Sequence, residues 1–193
     1  MLLFINYFKE SLAIQLLILL TTFCIIMIMM LSIYTNNLSY FFLGWNLFLA
    51  WVPLFFALIW QHRLIFSRYL ANWKQLILFG LWLLFWPNAP YLITDLIHLN
   101  KWFNPAEWLD VLLFFSAAFT GLVLGLYAMY KVHWILLDYF GSLRCWIIVL
   151  VCLLLSSYGI YLGRVLRWNS WDILSNPILL LQDAMLHLAM REA

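Results

Sequence analysis

Five apolar runs, each near or above twenty residues and separated by short polar stretches, decide most of what this chain can become. A bilayer core of about 30 Å takes roughly 20 residues of helix. Inside hydrocarbon only helices and closed barrels satisfy their own backbone polar groups. Laid along the sequence, that ruler predicts spans at 11–33, 40–60, 75–94, 109–130 and 145–162, an all-α polytopic membrane helix bundle in a single domain over 1–193. Asn176-Pro177 reads as a helix start, and the run that follows is too short to cross, so an interfacial helix is expected over 177–190.

Composition excludes the soluble alternative. With 67% hydrophobic and 9% charged residues, the chain lacks the polar surface of a soluble domain, in which about a quarter of residues are charged. Its net charge of +2 is too small to suggest a nucleic-acid partner. Cys24, Cys145 and Cys152 fall inside apolar runs without a C-x-x-C pair and read as packing residues. The first run is too long for a signal-peptide core and is expected to remain as a helix.

Five spans sort the polar residues by side. Lys9, Arg63, Arg68, Lys74, Lys131 and Arg144 fall on the amino-terminal side, and Lys101, Arg164, Arg167 and Arg191 on the other. The excess of basic residues predicts a cytoplasmic N-terminus. The ends of the third and fifth spans and the start of the second then meet on the outer side. They bring Asn46, the stretch Trp86 to His98, Glu107, Asp110 and the stretch Arg164 to Asp172 to one face.

Within Trp86-Pro87-Asn88-Ala89-Pro90-Tyr91, two prolines remove backbone donors and disturb the acceptors at Leu83 and Trp86, so the third helix should kink or break. Asn88 is placed to satisfy the freed backbone; neighbouring helices could do so equally. If a helix resumes after Pro90, Tyr91, Thr94, Asp95 and His98 share one face. Asp95 and His98 could hydrogen-bond each other, relay a proton, supply two metal ligands, or sit solvated at the headgroups. Two ligands do not make a metal site, and no metal is assigned. At the end of the fifth span, Arg164 and Arg167 stand at i, i+3, a spacing that suits bidentate recognition of phosphate or carboxylate. The bland account is snorkelling beside anchoring Trp168 and Trp171; pairing with Asp95 or Asp172 is a third. Gly121 and Gly125 form a small-xxx-small pair that admits close approach of another helix. Lys131 to Arg144 reads as a loop.

Asn46-Leu47-Phe48-Leu49-Ala50-Trp51-Val52-Pro53, the stretch Trp86 to Leu99, and Gly163-Arg164-Val165-Leu166-Arg167-Trp168-Asn169-Ser170-Trp171-Asp172 together resemble a family of uncharacterised bacterial multi-pass membrane proteins, a domain of unknown function. The resemblance implies an integral protein of the bacterial inner membrane and transfers no catalytic roles. It also implies a further hydrophobic segment after the N-S-W-D motif, where this chain has only the short run from Ile178 to Met190.

The sequence therefore predicts an outward-facing polar pocket of Asn46, Asn88, Tyr91, Asp95, His98, Arg164, Arg167, Asn169 and Asp172. Binding or transport of an anionic, phosphate-bearing ligand or lipid headgroup is the expected use. The alternatives are a membrane-embedded enzyme acting on a lipid-linked substrate, with Asp95 or His98 as general base, and an assembly partner of another membrane protein. No cofactor is indicated.

Overall fold

In the computed structural model, residues 2–66, 73–101 and 107–189 are described. The protein is an all-α bundle. Helix α1 (Leu2–Thr35) leads through a short 3-10 turn, Leu38–Tyr40, into α2 (Phe41–Phe66). Helix α3 (Trp73–Phe85) is followed by α4 (Asn88–Thr94) and a 3-10 segment, Asp95–Lys101. Then come the long α5 (Glu107–Phe140), α6 (Ser142–Val165), the single turn α7 (Asp172–Ser175) and α8 (Pro177–Ala189).

Five segments are long and apolar enough to cross a membrane: Glu10–Thr35, Leu38–Leu64, Trp73–Leu99, Trp108–Phe140 and Ser142–Val165. Their outward faces carry Leu19, Ile26, Phe115, Leu126, Ile147, Leu150 and Leu154, all exposed. A surface so apolar is suited to lipid and not to water. The chain is a multi-pass membrane protein.

The expected loop from Lys131 to Arg144 does not form. Helix α5 runs to Phe140 and hands over to α6 through Gly141 alone, whose φ of +74° supplies the left-handed turn. Lys131 is accordingly helical and only 4% exposed. Its ammonium pairs with Glu10, which also accepts a hydrogen bond from Gln61 Nε2 at 3.3 Å. This cluster ties α1, α2 and α5 at the end of the bundle remote from Asp95. The stretch 61–74, left between the expected second and third spans, is helical at both margins, in α2 to Phe66 and α3 from Trp73, and residues 67–72 lie outside the described residues.

The predicted break in the third span is present. A lone proline at 53 leaves α2 continuous, whereas Pro87 and Pro90 separate α3 from α4 at Trp86-Pro87. Asn88 Nδ2 donates to Phe85 O at 2.9 Å, and Trp86 O accepts from Ala89 N at 3.2 Å, so the break is closed locally. Phe79, Trp82 and Trp86 stack in sequence up to it and Trp60 packs tilted against Phe79, with ring centroids 5.3 to 5.7 Å apart. Trp86 Nε1 then donates to Gly125 O at 2.9 Å.

Helix α4 is gripped from two sides. A Cβ added at Gly121 would lie 2.6 Å from Ala89 O, and one at Gly125 would lie 3.1 Å from Ala89 Cβ, so the small pair on α5 seats this short helix. A second small pair, Gly159 and Gly163 on α6, meets Pro87 and Tyr91 on the other flank, with virtual Cβ distances of 3.0 and 3.4 Å. Small residues let backbones approach where no hydrophobic force distinguishes protein from lipid.

Gly121→Ala is therefore expected to cost about 1–3 kcal/mol through overpacking against backbone, read as a lower melting temperature in detergent. Gly80→Ala, with open space around its Cβ, should leave that temperature unchanged or raise it.

Candidate functional site

Asp95 stands at the junction of α4 and the following 3-10 segment and is 1% exposed. A carboxylate at that depth needs partners for both oxygens. Asn46 Nδ2, one turn into α2, donates to Oδ2 at 2.8 Å. Arg164, in the last turn of α6, donates from Nη1 to Oδ1 at 3.1 Å. The same guanidinium donates from Nη2 to Thr94 O at 2.8 Å and from Nη1 to Tyr91 OH at 3.4 Å. It lies 5.7 Å from the Tyr91 ring centre. Among the described residues, Nε and the second Nη2 hydrogen have no partner. Arg164 remains 23% exposed, and its guanidinium joins α6 to α4 while keeping donors for something else.

Around this pair is a cavity of about 300 Å³, at the small end of ligand sites, roughly 300–1,000 Å³. Asn46, Asn88, Tyr91, Asp95, His98, Arg164 and Asn169 all line it. The two sequence motifs are therefore walls of one cavity, and a second contact between them, Asn88 Nδ2 to Ser170 Oγ, measures 3.0 Å.

Two of the expected residues are elsewhere. The shared face of Arg164 and Arg167 does not form, because α6 ends at Val165 and Arg167 adopts a left-handed φ of 60°. That turn lets Trp168 N reach Leu162 O at 3.2 Å and leaves Arg167 exposed and out of the cavity. Asp172 turns back on its own loop: Oδ2 accepts from Asn169 N at 2.7 Å and Nδ2 at 3.3 Å. Both residues shape the loop that carries Asn169 and Ser170.

The expected α-helical face of Tyr91, Thr94, Asp95 and His98 is also cut short, because the winding tightens to 3-10 at Asp95. The i, i+3 spacing still keeps Asp95 and His98 on one side. The carboxylate is committed to Arg164 and Asn46, and His98 packs edge-on to Phe42, ring centres 5.5 Å apart. Asp110, grouped with this face by its position, accepts from Tyr40 OH at 2.8 Å and does not line the cavity. The side chain of Glu107 lies outside the described residues. Among the described residues, no three His, Cys, Asp or Glu side chains converge as a metal set.

Sequence reasoning missed Phe42, Trp45, Ser170, Ile173 and Leu180 as lining residues, and missed Gly159. The spacing of Gly159 and Gly163 was a readable signal of close packing. The loop-borne residues had none, because their placement follows from the turn at Arg167. Leu180 brings α8 over the cavity, and Trp168 Nε1 ties that helix down through Asp183 Oδ2 at 3.2 Å.

A family model matches residues 45–193, and the chain belongs to that family, described as a protein of unknown function, DUF1361. No curated protein and no solved structure matches the chain.

Asp95→Asn leaves a partly buried guanidinium without its counter-charge and is expected to cost about 2–4 kcal/mol, discounted for the exposed part of Arg164. Arg164→Gln should cost a similar amount. In a double-mutant cycle read by thermal denaturation, the pair should recover at least about 1 kcal/mol of the summed losses.

Proposed function

We propose that this member of the family binds an anionic, phosphate-bearing group, lipid-borne or free, in the cavity beside the broken third span. The observation that carries this reading is the state of Arg164. Its guanidinium is fixed by Asp95, Thr94 O and Tyr91 OH, and it keeps two N–H donors on a cavity that is otherwise largely apolar and aromatic. A guanidinium oriented in advance loses little freedom when it receives a phosphate oxygen. The exposed apolar residues Ile178, Leu181 and Met185 of α8, beside a helix that covers the cavity with Leu180, support an approach from the membrane surface. An enzymatic use draws less support, because Asp95, its nearest general base, is already held by a cation and an amide.

The preponderance of basic residues on the amino-terminal side supports a cell-membrane topology in which the cavity opens outward and the N-terminus is cytoplasmic.

Arg164→Gln, verified as folded by its melting transition, is expected to weaken binding of phosphate-bearing lipids by about tenfold or more, the worth of a charge-assisted hydrogen bond, in native mass spectrometry of the delipidated protein. Arg167→Gln should leave binding unchanged. Inorganic phosphate as competitor separates a free from a lipid-borne ligand. Unaltered binding by folded Arg164→Gln sinks the proposal.

The three cysteines are buried, so a membrane-impermeant maleimide meets little background. In intact cells it should label Asn169→Cys and spare Arg63→Cys; the reverse pattern inverts the topology.

A further inference from the structure

Among the described residues the lining of the cavity carries one cation and one anion, Arg164 and Asp95, in direct contact at 3.1 Å, so apart from His98 their formal charges cancel. A bare anion that approaches the guanidinium also approaches the carboxylate behind it, and the two Coulomb terms oppose each other. A ligand gains more if it brings a positive charge of its own and sets it against the rest of the wall.

That wall is suited to a cation. Asn46 Nδ2 gives one of its hydrogens to Asp95, and Asn88 Nδ2 gives both of its own to Phe85 O and Ser170 Oγ, so each amide has its Oδ1 left as an acceptor. Beside them lie the rings of Phe42, Trp45 and Trp168, whose faces attract an ammonium group. Among the described residues no lysine or second arginine competes within the lining.

We infer that the ligand is zwitterionic: a phosphodiester monoanion on the free N–H groups of Arg164, and a primary ammonium against Asn46 Oδ1, Asn88 Oδ1 and the Trp45 ring. Phosphoethanolamine is the head-group chemistry that matches. A primary ammonium is favoured over a quaternary one because the two amide oxygens call for N–H donors. This inference rests on the phosphate-binding reading above and names the class of ligand within it.

The test uses the full chain, delipidated in detergent, offered phosphatidylethanolamine, phosphatidylglycerol and phosphatidylcholine with matched acyl chains, with occupancy read by native mass spectrometry. Phosphatidylethanolamine is expected to exceed each of the others by about fivefold, the scale of an ammonium–ring contact together with its hydrogen bonds. Trp45→Leu, which leaves the Asp95 pair untouched, should reduce that preference by lowering phosphatidylethanolamine occupancy toward that of phosphatidylglycerol. Displacement by free phosphoethanolamine would identify the head group as sufficient, and displacement by phosphatidylethanolamine alone would identify a lipid-borne ligand. Phosphatidylglycerol binding as well as phosphatidylethanolamine overturns the zwitterion inference and leaves the phosphate reading standing, and phosphatidylcholine binding as well overturns the choice of a primary ammonium. Occupancy by all three that is unmoved in folded Arg164→Gln overturns both.

Discussion

The bundle depends on the compensation of one carboxylate. Asp95 is almost wholly buried within a membrane span, where an unpaired charge would be prohibitive. Its two partners come from different helices, Asn46 on α2 and Arg164 on α6. Satisfying it therefore fixes the relative placement of three spans at one end of the bundle. The tight seating of α4 on Gly121 and Gly125 brings Asp95 to a depth at which those partners can reach it. A buried ion pair is not itself a large source of stability, but removing either member leaves the other charge stranded. Such a pair selects one arrangement of the helices over near neighbours that would be similar in apolar packing.

Most of the architecture was legible in the sequence because its strongest signal is length. A run such as 11–33 has few solutions in a bilayer, and the crossing segment Glu10–Thr35 follows. The paired prolines were equally plain, and Asn88 closes the break as its chemistry suggests. The coming together of Asn46, Asp95 and Arg164 followed from counting spans, since an odd number of crossings brings those three helix ends to one face.

What escaped the sequence was set by backbone detail. Arg164 and Arg167 look like a pair on a helical wheel, but the wheel stops at Val165, and a left-handed residue between Leu166 and Trp168 sends the second arginine outward. The charges from Lys131 to Arg144 suggested a loop, yet Lys131 found a counter-charge on Glu10, and Gly141 made one residue enough to reverse the chain. In both cases the deciding factor was a single φ angle or a partner more than a hundred residues distant. Local patterning carries neither.

The order in which the Asp95 partners are made has its own consequence. Asn46 is synthesised 49 residues before the carboxylate, and Arg164 69 residues after it. When the third span enters the membrane, the amide is already in place and the guanidinium is still unmade. Asn46 is thus the only one of the two side chains able to shelter the acid while α6 is still unmade, and the later insertion of α6 completes its neutralisation. The ion pair that bounds the cavity is also a record of synthesis through α6, because no chain that stops short of that helix can form it.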